Sequence, residues 1–108
     1  AGRSAVFQLP FVNLGLVPEG GSSLLLPRMV GHARAAEVLM LGDKFGPEQA
    51  ASLGFVTRVV ADEDLETEAM NAARSLAAKA PGALRETKRL MRASLEQPIR
   101  DALEWEGA

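Results

Sequence analysis

One carboxylate stands apart in this 108-residue sequence. Glu19 lies in Pro18-Glu19-Gly20-Gly21-Ser22-Ser23, a glycine-rich turn between an apolar segment and the start of a helical pattern. The apolar stretch before it is broken only by Asn13 and glycine. That setting predicts a poorly hydrated acid beside backbone that can approach a ligand closely, which suits proton transfer. From the residue alone a plainer role stays open, that of a turn carboxylate near the positive end of the next helix. Gly15, Gly20 and Gly21 are likewise open to two roles, as turn glycines or as points of close ligand approach.

The rest of the composition narrows the chemistry. The absence of cysteine excludes a disulfide framework, a thiolate nucleophile and any cysteine-based metal site. A single histidine, His32, leaves no histidine cluster for a metal and reads as structural or solvated. Twelve basic and 14 acidic residues give a net charge of −2, with no basic tract interleaved with aromatics, so no nucleic-acid partner is expected. Arg85, Lys88, Arg89 and Arg92 share one helical face, which reads as a solvated face or as a contact for phosphate. The run Leu24-Leu25-Leu26 stops at Pro27, far short of the ~20 residues a spanning helix needs. A soluble, cytoplasmic chain is the expectation. A hydrophobic content of 47% is enough for a core in a chain of one-domain size.

The elements that must position Glu19 are legible in outline. Ala5 to Leu9 has the β-branched and aromatic content of a short strand, ended by Pro10. Ser22 and Ser23 open a helix in which a hydroxyl would cap free backbone donors, and Pro27 is expected to keep that helix short or to let a new one begin. Ala33 to Leu41 repeats apolar residues at helical spacing and meets Gly42, a natural C-terminal cap. Pro47 opens a short helix that closes at Gly54, and Phe55 to Val60 reads as a second strand. Acids at 62–64 precede an amphipathic helix carrying Leu65, Ala69, Ala72, Ala73, Leu76 and Ala80. Pro81 opens another, reaching Gln97, and Pro98 is expected to start the last. Trp105 reads as packing. The chain begins at Ala1 without methionine and stops within a helical pattern, so it is expected to be part of something larger.

Leu14-Gly15-Leu16-Val17-Pro18-Glu19-Gly20-Gly21-Ser22-Ser23, Leu26-Pro27-Arg28, Val30-Gly31, Leu41-Gly42, Gly54-Phe55-Val56 and Val59-Val60 follow one another at a recognisable spacing. Together with Ala80-Pro81, Ala83-Leu84 and Thr87-Lys88 they resemble the C-terminal half of the crotonase superfamily of enoyl-CoA hydratases and isomerases. The Pro18 to Ser23 segment is most similar to the Δ3,Δ2-enoyl-CoA isomerase branch. The resemblance implies an α/β fold, a remnant of a ββα spiral core followed by helices and mostly helical here. Residues 1–60 would hold the end of the core and 61–108 the helical region.

That resemblance implies an enzyme acting on an acyl-CoA thioester in fatty acid metabolism. The catalytic carboxylate of the isomerase branch matches Glu19, which would move a double bond from C3 to C2 by shuttling a proton. In hydratases a glutamate stands where this chain has Phe11, which weakens a hydratase reading. Phe11, Leu14, Leu16 and Gly20 would contact substrate, although the three apolar residues serve equally as core. No metal and no cofactor beyond the coenzyme A of the substrate is implied. The oxyanion-hole amides would match segments preceding Ala1. Family members form trimers or pairs of trimers, so a homo-oligomer is implied. Two alternatives stay open: hydration or another crotonase-type reaction, and a catalytically silent helical association module.

Overall fold

The computed structural model describes residues 1–108. Helices α1 (Ser22–Val30), α2 (His32–Leu41), α3 (Pro47–Ser52), α4 (Leu65–Ala77), α5 (Pro81–Ala93) and α6 (Glu96–Gly107) follow in order, with 3-10 turns at Val12–Leu14 and Asp62–Asp64. The chain is mostly helical, as its periodicity implies. α2 ends where Gly42 takes φ 64°, and α3 begins at Pro47, whose missing N–H costs no helical bond in the first turn. α1 runs through Pro27 rather than stopping there. The proline removes one backbone donor, but Leu26 just before it is buried in the core and Gly31 N–H still closes on the Pro27 carbonyl at 2.9 Å.

Neither expected strand becomes a ladder. Ala5 to Leu9 contributes one antiparallel bridge, in which Phe7 and Phe45 exchange two N–H···O bonds of 2.9 Å. Phe55 to Val60 contributes one parallel bridge, between Val60 and Gly2. Propensity makes both segments extended, but a ladder needs an extended partner of matching length, and Phe45 lies just before the Gly46-Pro47 start of α3.

Leu26, Ala35, Val38, Leu39, Phe45 and Ala50 form the core, drawn from α1, α2, α3 and the residues between. Phe7, Phe45 and Phe55 close it from three segments, with ring centroids 5.6 to 6.0 Å apart in stacked and edge-on pairs. α6 starts at Glu96, two residues before the expected Pro98, which instead occupies the first turn where proline is tolerated. It returns to α1 and buries Ala102 to 2% exposure.

α4 and α5 bury no residue. Leu76, Leu90 and Met91 stay open to solvent, and Trp105 on α6 is also exposed rather than packed. The radius of gyration is 16.3 Å, whereas a compact chain of this length would measure about 13 Å. α4 is tied to the body by its N-terminal 3-10 turn and by an Arg58–Glu68 ion pair at 3.7 Å. No helix is long and apolar enough to cross a membrane.

Candidate active site

The turn bearing Glu19 hangs between two anchors. On its N-terminal side, Phe11 packs partly into the core and starts the Val12–Leu14 turn, and its carbonyl accepts from Leu14 N–H (3.0 Å) and Leu16 N–H (2.8 Å). The same loop is pinned to the end of α2, because Gln8 Nε2 (2.9 Å) and Asn13 Nδ2 (3.0 Å) both donate to the Gly42 carbonyl. The C-terminal side is α1. Its N-cap is Gly21, at φ 78°, not a serine.

Neither serine hydroxyl accepts from the helix as the sequence suggested. Ser22 Oγ donates to the Glu19 carbonyl at 2.7 Å. The acceptor at this helix end is Glu106, from α6: one oxygen takes Gly21 N–H (2.7 Å), and the other takes Ser23 N–H (3.0 Å) and Ser23 Oγ (2.5 Å). Partial burial pushes the Glu106 carboxyl up, but the Ser23 hydroxyl and the Gly21 and Ser23 amides outweigh it and hold the group below the usual glutamate range. Ser22 N–H donates to the Glu19 carbonyl, while Leu24 and Leu25 N–H both donate to the Gly21 carbonyl. The amides of Ser22 to Leu25 and of the Gly21 cap are therefore all engaged within the chain, and none is free for a ligand oxyanion.

Glu19 itself is exposed, and its carboxylate makes no hydrogen bond or ion pair. Val12, Leu14, Leu16 and Val17 are at least half exposed, so within this chain no apolar cover gives Glu19 the poorly hydrated setting expected from its neighbours. Gly20 adopts φ 69° with open space where a Cβ would stand. Beside the turn lies an apolar cavity of about 290 Å³ between the Val12–Leu14 turn, α1 and α2. Val12, Pro18, Ser23, His32, Leu39 and Met40 are among the residues that line it. Pro18 puts the residue preceding Glu19 in its wall. No three acidic or histidine side chains converge as a metal site requires.

The family model for enoyl-CoA hydratase/isomerase matches residues 1–107. This chain belongs to the enoyl-CoA hydratase/isomerase family. Among curated relatives it is 46% identical over 77 residues to 1,2-epoxyphenylacetyl-CoA isomerase of Escherichia coli K12, covering 71% of this chain and 29% of the relative. It is 35% identical over 99 residues to enoyl-CoA delta isomerase 2 of Rattus norvegicus, covering 92% of this chain and 25% of that one. An enoyl-CoA hydratase/isomerase from Pseudoalteromonas atlantica T6c superposes with a TM-score of 0.96 at 39% identity, over 99% of this chain and 43% of that one. The chain thus has the crotonase fold that its sequence resembles, and it spans about a third of the length of the curated relatives it matches.

Within this family member, the residues singled out from sequence separate. Glu19 and Gly20 share the turn, Phe11 belongs half to the core, and Leu14 and Leu16 are 67% and 50% exposed and lie outside the apolar cavity. Val12 and Pro18, their neighbours, line it instead. The 3-10 turn explains the exchange, since it breaks the alternation that an extended segment would keep. Sequence reasoning missed Leu39 and Met40, which read as ordinary helix residues, and it missed Glu106, which carries no local signal because its partners lie 83 and 85 residues away.

Proposed function

We propose that this chain carries the acid–base part of an acyl-CoA isomerase site, with Glu19 taking a proton from C2 of a 3-enoyl thioester and returning one to C4. The double bond moves from C3 to C2, and no nucleophile is needed. The observation that carries the reading is an unpartnered carboxylate on a glycine turn, directly after Pro18, which lines an apolar cavity of about 290 Å³. A positioned base of this kind contributes roughly 10²–10⁴ in rate. The C2 proton is acidic enough only if the thioester oxygen is stabilised as it becomes an enolate, and one missing donor costs on the order of 10²–10³. The first-turn amides of α1 are engaged, so this stabilisation comes from other segments.

A hydratase reading is less favoured because Phe11 replaces the second carboxylate that handles water. Substrate, fatty acid oxidation as the setting, a cytoplasmic location and the absence of a separate cofactor all belong to this proposal. So does assembly into a homo-oligomer of the trimer or hexamer kind, which the bare apolar faces of α4 and α5 support. Conversion of a 3-enoyl-CoA to its 2-enoyl isomer tests it, run beside Glu19→Gln with circular dichroism on both. Loss of roughly 10²–10⁴ in kcat with an unchanged spectrum is expected. Full activity in the variant would remove Glu19 from the mechanism, and a hydrated product would favour the hydratase reading.

A further inference from the structure

We infer that Glu106 is a positioning residue for Glu19, an inference that rests on the acid–base reading of Glu19. Residues 17–20 have no backbone hydrogen bond except those made by the Glu19 carbonyl to Ser22. Gly20 and Gly21 both sit at positive φ, and no atom lies within 4 Å of where a Gly20 Cβ would be. No packing reaches the Gly20 position, and two glycines at positive φ give the turn wide conformational freedom. Its geometry is set from its ends.

The upstream end is fixed by Leu16 N–H on the Phe11 carbonyl. At the downstream end, every long-range hydrogen bond goes to one carboxylate, that of Glu106. Glu106 is in turn held by α6, whose Ala102 is buried and whose Gln97 and Asp101 are tied together at 2.7 Å. The carboxylate spans two backbone donors and one hydroxyl, so it constrains both the position and the orientation of the Gly21–Ser23 backbone. Glu19 lies two residues before Gly21, the first backbone donor those bonds hold.

Hydrogen exchange in this chain should show Gly21 and Ser23 amides opening at least about tenfold faster in Glu106→Gln, with Val38 and Leu39 amides in α2 unchanged. In the protein as it occurs in its organism, kcat should fall about 10²-fold with KM changed less than about twofold, because misplacing a catalytic group by about 1 Å costs that much. Ser23→Ala, which removes only the hydroxyl contact, should lower kcat by a smaller factor in the same direction. Exchange that accelerates equally through α2 would make Glu106 a general support and overturn the inference. So would an unchanged kcat in both variants while Glu19→Gln is inactive. An active Glu19→Gln enzyme would instead sink the acid–base reading itself, whatever the Glu106 variants do.

Discussion

Protonating Glu106 should release α6 from the start of α1 and cost the fold a measurable part of its stability. The carboxylate accepts from Gly21 N–H, Ser23 N–H and Ser23 Oγ at 2.7, 3.0 and 2.5 Å. Losing a helix N-cap acceptor costs about 0.5–2 kcal/mol, and losing a negative charge at that end about 0.3–1 kcal/mol more. The site is half-buried, so about 2 kcal/mol is the working figure, or a fall of roughly 8 °C in Tm for a domain of this size. The carboxyl is held below its ordinary value of 4.5 in the fold. Its contribution is therefore complete above the unfolded value and is lost as pH falls through the folded one. Thermal unfolding followed by circular dichroism, from neutral to acid pH, should show Glu106→Gln melting about 8 °C below the parent at neutral pH. Below pH 4.5 the gap should close, because the parent comes to resemble the variant. Every other carboxylate titrates in both proteins and cancels. A gap that stays constant into acid, or that is absent at neutral pH, would show that the ionised Glu106 carboxylate does not stabilise the start of α1.

Gly42→Ala should destabilise by about 1–3 kcal/mol in urea titration, because Gly42 has φ 64° and an added Cβ would stand 2.7 Å from Asn13 Nδ2, the group that pins the site loop. Phe45→Ala should cost about 3–5 kcal/mol by the same measurement, since it removes one ring from the phenylalanine trio and deletes a core residue only 8% exposed. The chain should sediment as an assembly above the mass of one copy, and Leu90→Glu with Met91→Glu on the bare face of α5 should shift it toward the monomer. A monomeric parent would remove that face from any interface.

The periodicity of the helices was legible because it depends on local spacing. Ala33 to Leu41 with Gly42, and Pro47 with Gly54, carry their own start and stop signals, and the structure places helix boundaries there within one or two residues. The segments around Phe7 and Val60 were not legible as bridges, because an extended segment becomes a strand only if another lies alongside. The same limit applies to Glu19. Its turn and its neighbours could be read from Pro18-Glu19-Gly20-Gly21, but its hydration could not, since burial depends on what distant residues cover.

Residue type at short spacing thus settled where the helices lie, though not all of their ends, together with the glycine turn carrying Glu19 and the resemblance to enoyl-CoA hydratases and isomerases. Tertiary structure alone decided that Val12 and Pro18, rather than Leu14 and Leu16, face the apolar cavity, and that α4 and α5 lie uncovered. It also decided that the cap of α1 comes from Glu106. The physical reason is one of range: backbone preference acts over a few residues, whereas a carboxylate reaching an amide 85 positions earlier depends on how the whole chain closes on itself.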